Sequence, residues 1–246
     1  MTKNKTDILS KFPKDRIELP QAYQDIYTQH YLSNREGKYK TTSLSMKLER
    51  WLHKKVAQDV VGTKGKKTLE IGAGTLNQLQ YEPEISDYDI IEPFKELYEG
   101  SELLSRVRNI YSDISEVTEK YDRITSIAVF EHIMDLPYVV AKAALHLNEG
   151  GCIRTSIPNE GTIMWKMGTK VTGREFKKKY GLDYQVLMKF EHVNTAQDIE
   201  DVLNHFFTKT KSASFGMGKG LAFYRFLEHR NPKVEVAKAY LESRGK

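Results

Sequence analysis

The stretch Thr68-Leu69-Glu70-Ile71-Gly72-Ala73-Gly74-Thr75 decides the fold of this chain. It has the pattern of a short buried strand that runs into a turn with two glycines. Glycine is used where the backbone takes a positive φ angle, or where a ligand must approach with no Cβ in the way. A strand that ends in such a turn is typical of the first unit of an α/β nucleotide-binding sheet.

Two classes of nucleotide site use this kind of turn, and the residues around the glycines separate them. The dinucleotide fingerprint is Gly-x-Gly-x-x-Gly, in which the third glycine lets helix and strand pack closely. Asn77 occupies that third position, and Glu70 stands where the dinucleotide fold is usually apolar. An NAD-dependent dehydrogenase is therefore disfavoured. The pattern Glu70-x-Gly72-x-Gly74 instead resembles the first motif of the class I S-adenosylmethionine-dependent methyltransferases, although Leu76 stands where many members carry a third glycine.

Later segments resemble further motifs of the same family, in the same order along the chain. They are residues 88–92, 110–114, 121–133 and 147–156, and the whole resemblance covers roughly residues 66–230. The resemblance implies an α/β, Rossmann-like fold with a seven-stranded, mostly parallel sheet. Helices are expected on both faces of this sheet, and the last strand is expected to be antiparallel.

The resemblance also implies the cofactor, S-adenosylmethionine, and the residues that bind it. Glu92 would accept hydrogen bonds from both ribose hydroxyls, and Asp113 would bind the adenine amino group while Ile114 lies against the ring. Arg35 is a candidate for the carboxylate of the methionine part, by a two-pronged contact. The predicted cofactor residues are Arg35, Glu70, Gly72, Ala73, Gly74, Glu92, Pro93, Asp113, Ile114 and Val129.

His132 is the candidate catalytic residue, because it follows the carboxyl end of the predicted fourth strand. An imidazole titrates near neutral pH, so His132 is suited to be a general base; alternatively, it only orients the loop or the cofactor. Glu131-His132 also resembles a pair in the quinone-type O-methyltransferases, where a divalent metal has been invoked. One such pair is too little for a metal site, and we predict none. The candidate substrate residues are Tyr31, Tyr39, Trp165 and His192.

The chain divides into three predicted parts. Residues 1–64 form a helical N-terminal extension, residues 65–230 form the methyltransferase core, and residues 231–246 form a tail. Tyr23, Tyr27 and Tyr31 recur every four residues, so a helix would place them on one face that packs on the core or, less favoured, closes over the active site. Residues 158–194 are longer than a simple connection requires, and we expect a partly helical lid there.

Charge is distributed unevenly along the chain, whose net charge is +5. Residues 68–157 contain 16 acidic and 7 basic residues, whereas both flanking segments have a basic excess. An acidic half suits a cofactor that carries a sulfonium and an ammonium group, and basic flanks suit an acidic partner. Solvated lysine and glutamate faces are the simpler alternative.

The sequence also lacks the signals of several other classes of protein. No apolar run approaches the ~20 residues that span a bilayer. Its first residues lead into no apolar block, so we expect no signal peptide. The single cysteine, Cys152, lies in an apolar stretch, which indicates a core residue in a reducing compartment and a cytoplasmic protein.

These observations lead to one predicted function with alternatives. We expect methyl transfer from S-adenosylmethionine to an oxygen or nitrogen atom of a small acidic molecule, such as a phosphorylated or nucleotide-linked sugar or a carboxylate. One alternative is an RNA or protein methyltransferase that uses the basic flanks. Nucleic acid is the less favoured partner, because no RNA-binding module is recognisable. The other alternative is a regulator that binds the cofactor without catalysis.

Overall fold

A seven-stranded sheet forms the centre of the computed structural model, which describes residues 7–27, 43–60, 65–85, 87–160, 162–216 and 221–245. Its strands are β1 (Thr68–Ile71), β2 (Tyr88–Ile91), β3 (Ile110–Tyr111), β4 (Tyr121–Ile127), β5 (Leu147–Pro158), β6 (Thr208–Gly216) and β7 (Ala222–Arg230).

The strand order across the sheet is β3-β2-β1-β4-β5-β7-β6. Strands β1 to β5 are parallel to their neighbours, and β7 is inserted antiparallel between β5 and β6. This arrangement confirms the predicted Rossmann-like, mostly parallel sheet. The chain proceeds outward to β2 and β3 on one side of β1 and to β4 on the other, so a crevice opens at the carboxyl ends of β1 and β4.

The α-helices are α1 (Ser43–Ala57), α2 (Leu136–Leu145), α3 (Ile163–Tyr180), α4 (Tyr184–Glu191), α5 (Ala196–Phe206) and α6 (Val234–Ser243), and residues 21–27 are also helical. Within the described ranges, no helix is both long and apolar enough to cross a membrane. The crossovers around β2 are 3-10 turns (Asn77–Tyr81, Lys95–Leu97 and Glu102–Arg106) rather than the α-helices expected from a Rossmann-like sheet.

Both faces of the sheet are covered, as predicted. One face packs against α2, α5 and α6 through an apolar core that includes Val140, Val202 and Leu241. On the other face, a smaller apolar cluster joins the end of α1 to the turn after β1.

A buried ionic network lies beneath α1 and fixes it to the sheet. The Arg123 side chain has no exposed surface, and its guanidinium donates hydrogen bonds to both Glu82 oxygens at 2.8 and 2.6 Å. It also donates to Asp59 at 3.0 Å and to the Val56 carbonyl at 2.9 Å. Arg154 makes an ion pair with Asp59 at 3.1 Å. A buried charge without such partners would be costly. Because Arg123 binds both the Val56 carbonyl of α1 and Asp59 just after it, the network fixes the position of α1 on the sheet.

The N-terminal segment packs on the helices that follow β5. A third apolar cluster contains Leu19 and Tyr23 from that segment, together with Phe176 of α3 and Leu187 of α4. Lys14 donates to Asp198 at 2.8 Å and thereby connects the segment to α5, which begins with a capping box formed by Thr195 and Asp198. The helices α3 and α4 occupy the stretch 158–194 for which partly helical structure was predicted.

Candidate active site

A cavity of about 610 Å³ lies at the carboxyl ends of β1, β2 and β4. Parallel α/β sheets place their ligands at this edge. The cavity is lined by residues from the N-terminal segment, from four strand ends and from the end of α4: Arg16, Tyr27, Ile71, Gly72, Ile91, Glu92, Pro93, Phe94, Glu96, Leu97, Asp113, Ile114, Val129, His132, Ile133, Val139 and Glu191.

The glycine turn after β1 approaches the next wall of the cavity closely. Gly72 has a φ angle of +73°, and a Cβ atom placed on it would lie 2.4 Å from a methyl carbon of Val129. Gly74 also has a positive φ angle, of 51°. Leu76 takes a φ angle of 64°, so the position at which the family often has glycine keeps a left-handed backbone here despite its side chain. Bare backbone at Gly72 therefore forms one side of the cavity.

Glu92 connects the glycine turn to the loop after β2. Its carboxylate accepts hydrogen bonds from the backbone N–H of Gly74 at 2.8 Å and from that of Phe94 at 3.1 Å. A carboxylate oxygen has more than one acceptor site, so each oxygen can accept a further hydrogen bond. Glu92 is thus held in place by the backbone and presents acceptors to the cavity that it lines.

Asp113 and Phe94 line the part of the cavity near β2 and β3. Asp113 Oδ1 accepts a hydrogen bond from the Ser115 backbone N–H at 2.8 Å, which caps the short turn Ile114–Glu116. Its second oxygen is available to a ligand, and Ile114 is buried beside it. Phe94 is 51% exposed and lines the cavity.

Glu70 is not among the described residues that line the cavity. It is 2% exposed, and the Tyr88 hydroxyl donates to its Oε2 at 2.8 Å. Burial raises the pKa of Glu70 to about 8, and the hydrogen bond from Tyr88 opposes that rise. Ala73 and Gly74 also lie outside the lining, and Gly74 acts through its hydrogen bond to Glu92. Of the glycine-turn residues predicted to bind the cofactor, only Gly72 lines the cavity directly.

His132 lies on the cavity wall with a defined tautomer. Its Nδ1 is 2.8 Å from the carbonyl oxygen of Glu191. Because a carbonyl can only accept a hydrogen bond, Nδ1 carries the proton, and in the neutral ring Nε2 is the basic nitrogen. The Nε2 atom lies 3.9 Å from the carboxylate of Glu131. A proton taken up at Nε2 would therefore be stabilised by a buried acid.

His192 and Trp165, two predicted substrate residues, lie beside His132. The rings of His132 and His192 meet edge to face at 4.8 Å, and Trp165 lies 6.2 Å from His192. Burial lowers the pKa of His192, but the hydrogen bond to Glu160 and the charges of Glu131 and Glu191 outweigh it, so the pKa is raised overall. The structure thus brings together His132, His192 and Trp165 among acidic side chains.

Glu131, His132 and His192 form the group of side chains best placed to hold a metal ion within the described ranges. Each offers one ligand atom, and these atoms lie within 4.8 Å of one another. The Nδ1 atoms of both histidines already have partners, namely the Glu191 carbonyl and Glu160. A metal would therefore have to bind through the two Nε2 atoms and Glu131. The absence of a metal stays a prediction, which assays before and after dialysis against a chelator would test.

Arg16 and Tyr27 line the cavity, and neither is among the site residues predicted from the sequence. Arg16 donates to the His132 carbonyl at 2.9 Å and lies 5.0 Å from the Phe190 ring, and its buried Nε makes no hydrogen bond in the described part of the chain. For Tyr27, the sequence signal was its spacing of four residues from Tyr23. This spacing places Tyr27 on the same helix face as Tyr23, which packs against α3 and α4. Arg35, Tyr31 and Tyr39 lie outside the described residues.

Several solved methyltransferase structures have a similar fold. N-methyltransferase NodS from Bradyrhizobium japonicum WM9, in complex with S-adenosyl-L-homocysteine, aligns over 87% of this chain and 100% of its own, with 14% identity and a TM-score of 0.56. Magnesium protoporphyrin IX methyltransferase (ChlM) from Synechocystis PCC 6803, with bound SAH, aligns over 85% and 97%, with 13% identity and a TM-score of 0.57. An S-adenosylmethionine-dependent methyltransferase from Clostridium acetobutylicum ATCC 824 aligns over 85% and 99%, with 13% identity and a TM-score of 0.56.

The comparisons with sequences give no such likeness. No family model matches the chain, and a comparison with curated proteins finds no match. The likeness therefore concerns three-dimensional structure, and it agrees with the strand order and with the glycine turn described above. On these grounds the chain has the fold of the class I S-adenosylmethionine-dependent methyltransferases.

Proposed function

We propose that this chain is an enzyme that transfers a methyl group from S-adenosylmethionine to an oxygen or nitrogen atom of a small molecule. The observation that carries this proposal is the cavity in which Gly72, Glu92 and Asp113 meet at one sheet edge. The fold supports it, and so do the NodS and ChlM structures, which hold S-adenosylhomocysteine.

The residues present fit this cofactor. Glu92, held by two backbone amides, offers acceptors to the ribose hydroxyls, and Asp113 offers its uncommitted oxygen to the adenine amino group. Gly72 lines the cavity with bare backbone, and a Cβ atom there would collide with Val129. Arg16 lines the cavity, and its Nε has no hydrogen-bond partner among the described residues. We assign to Arg16 the contact with the methionine carboxylate that the sequence suggests for Arg35.

The remaining chemistry needs alignment and, for an oxygen acceptor, a base. S-adenosylmethionine supplies a methyl group activated by a sulfonium, so the protein mainly has to position the acceptor and exclude water. His132 is the general base in this proposal: Nε2 takes the acceptor proton, and Glu131 at 3.9 Å stabilises the resulting imidazolium. The helix α4 supports the base, because the Glu191 carbonyl fixes the ring through Nδ1.

The acceptor in this proposal carries an acidic group, since the basic excess lies in the segments that flank the cofactor half. The side chains next to His132 are acidic, however: Glu131, Glu160 and Glu191. An anionic group is therefore expected to lie away from the reacting atom. A cytoplasmic location is part of the same proposal, and it is consistent with Cys152 being a buried free thiol.

Calorimetric titration with S-adenosylmethionine tests the proposal. The variant Asp113→Asn keeps Oδ1 as the cap for Ser115 but replaces the free oxygen with an N–H donor, which faces the adenine amino group unfavourably. We expect affinity to fall about 10–100-fold, because hydrogen bonds to charged groups contribute ~1.5–3 kcal/mol. Glu149→Gln, an exposed position at the opposite end of β5, is the matched control. A wild-type chain that does not bind the compound would end the proposal.

A further inference from the structure

A second concave surface lies between α3 and α4, outside the cavity described above. Its volume is about 380 Å³, and we call it the α3–α4 groove. The groove is lined by Thr169, Lys170, Gly173, Arg174, Lys177, Asp183, Tyr184 and Gln185.

The described residues that line the groove carry an excess of positive charge. Lys170, Arg174 and Lys177 are spaced four and three residues apart, so they share one face of α3. In the described part of the chain, none of the three side chains makes an ion pair or a hydrogen bond. Asp183 is the acid among the lining residues, and its Oδ1 caps α4 through the Gln185 backbone N–H at 3.0 Å. Three cations and one carboxylate leave two positive charges in excess.

The walls of the groove are held in place by packing. The Tyr23 hydroxyl accepts a hydrogen bond from the Asp183 backbone N–H and donates to the Asp183 carbonyl, both at 3.0 Å. The rings of Phe176 and Tyr184 pack at 5.3 Å. Gly173 also lines the groove, and a Cβ atom there would lie in ordinary contact with Tyr184, at 3.6 Å. Such a preformed site lowers the cost of ordering a ligand.

Helix α4 connects the groove to the histidine cluster. Tyr184 at the start of α4 lines the groove, and Glu191 at its end lines the cavity. At ~1.5 Å per residue, these two positions lie about 10 Å apart along the helix. The Glu191 carbonyl holds His132, and Glu160 pairs with His192. The basic groove at one end of α4 and the acidic surroundings of His132 at the other are therefore about the length of a small molecule apart.

We propose that the α3–α4 groove binds a phosphate group of the methyl acceptor, while the acceptor's nucleophilic atom lies at His132. This inference rests on the proposed function and names the acceptor class: a small phosphorylated molecule. A phosphate monoester carries a charge of about −1.5 to −2 at neutral pH, which matches the two excess positive charges. The carboxylates around His132 would repel the same group, so charge orients the acceptor.

The dimensions of the basic face favour a small molecule over nucleic acid. From Lys170 to Lys177 the helix rises about 10 Å, at ~1.5 Å per residue. A protein that binds the sugar-phosphate backbone of a nucleic acid can contact about 6–10 phosphates. Three cations along about 10 Å of one helix can pair with one phosphate or a diphosphate, and they do not extend far enough to follow a nucleic-acid strand.

An NMR titration tests whether the groove binds phosphate. The isotope-labelled protein is first saturated with S-adenosylhomocysteine and is then titrated with inorganic phosphate. We expect saturable shifts at the backbone amides of Lys170, Gly173, Arg174 and Gln185. Arg174→Gln and Lys170→Gln should each weaken binding about 10-fold or more. Lys178→Gln removes the same charge from an exposed position that does not line the groove, and it should leave the affinity unchanged.

A second experiment connects the groove to the acceptor. Methyl transfer is measured with a small-molecule cell extract, before and after treatment with a phosphatase that is then removed. The proposal expects the wild-type signal to be lost on dephosphorylation, and Arg174→Gln to raise the apparent KM for the untreated extract with little change in kcat.

Several results would overturn the groove assignment. They are shifts spread over the basic surface without saturation, an equal loss of affinity in Lys178→Gln, transfer that is insensitive to the phosphatase, or a single-stranded RNA that displaces phosphate with a steep salt dependence. Binding of S-adenosylhomocysteine is measured in the same samples. If it persists, only the groove assignment fails; if it is absent, the proposed function fails as well.

Discussion

His132 presents Nε2 as a base because its other ring nitrogen is engaged by the Glu191 carbonyl. His132→Asn is the informative change, since the asparagine amide can replace the Nδ1 donor but has nothing at the Nε2 position. For an oxygen acceptor we expect kcat to fall about 10²–10⁴-fold. The affinity for S-adenosylmethionine should stay close to that of the wild type, as measured by calorimetry. Unchanged turnover in this variant would show that His132 only orients the loop.

Glu70 does not line the cofactor cavity, but its protonation is linked to folding. Its pKa rises from the ordinary value near 4.5 to about 8 in the folded chain, so folding takes up a proton between those pH values. The stabilisation is complete below about pH 4.5 and is lost as the pH rises through about 8, at up to ~1.4 kcal/mol per pH unit.

Glu70→Gln should remove this pH dependence while keeping an acceptor for Tyr88. We expect urea unfolding of the variant to give a free energy of unfolding that exceeds the wild-type value at pH 8 and approaches it near pH 5. Glu149→Gln, which changes an exposed carboxylate, should follow the wild type at both pH values. Parallel pH profiles for the wild type and Glu70→Gln would show that Glu70 is ionised in the folded chain.

The sequence predicts some of these residues better than others. Glu92 and Asp113 follow strand ends, so their places in the cavity could be predicted from the motif order. The burial of Glu70 could not, because a motif gives the position of a carboxylate but not the direction of its side chain. Arg16 reaches the cavity only through the packing of the N-terminal segment on α3 and α4, and no local pattern encodes that contact.

The N-terminal segment contributes Arg16 to the cavity, and a matched pair of ligands can isolate that contribution. We expect Arg16→Gln to weaken S-adenosylmethionine about 10–100-fold through the lost contact with the methionine carboxylate. Methylthioadenosine, which has no carboxylate, should bind both proteins equally in calorimetric titrations. Equal weakening of both ligands would mean that Arg16 acts by positioning the His132 loop, to whose carbonyl it donates.

Helix α1 depends on the buried ionic network. Arg123→Met leaves the carboxylates of Glu82 and Asp59 without their main partner, and removal of one member of a buried pair typically costs about 3–5 kcal/mol. Lys66→Met is the control, because Lys66 contacts Asp59 at 3.4 Å from a partly exposed position and should cost less than ~1 kcal/mol. Urea denaturation measures both. Equal stability of the two variants would contradict a structural role for the network.

Long periodic elements were predictable, whereas short crossovers were not. The apolar spacing predicts α1, α2 and α5, and the capping box predicts where α5 begins. The crossovers around β2 became 3-10 turns, because a stretch as short as Asn77–Tyr81 can make only a few backbone hydrogen bonds. The apolar cluster between the N-terminal segment and α3 and α4 depends on contacts distant in sequence, which periodicity does not report.

In the proposed enzyme, the charges of the two sites determine where the cofactor and the acceptor phosphate bind. The acidic cofactor half contributes most of the cavity, and helix α3 carries six cations, of which Lys170, Arg174 and Lys177 line the α3–α4 groove. The uneven charge is visible in the sequence, but its meaning for the acceptor depends on α4, which starts at the groove and ends at the acids around His132. The proposed enzyme therefore binds the cationic cofactor in the acidic cavity and the anionic phosphate of the acceptor in the basic α3–α4 groove.

A crystal structure of the chain grown with S-adenosylhomocysteine would show whether the cavity is the cofactor site. We predict density for the nucleoside in the cavity, with the ribose hydroxyls on Glu92, the adenine amino group on Asp113 and the carboxylate on Arg16. This prediction would be contradicted by a cavity closed to the ligand, or by a nucleoside bound elsewhere while Glu92 and Asp113 point away from it.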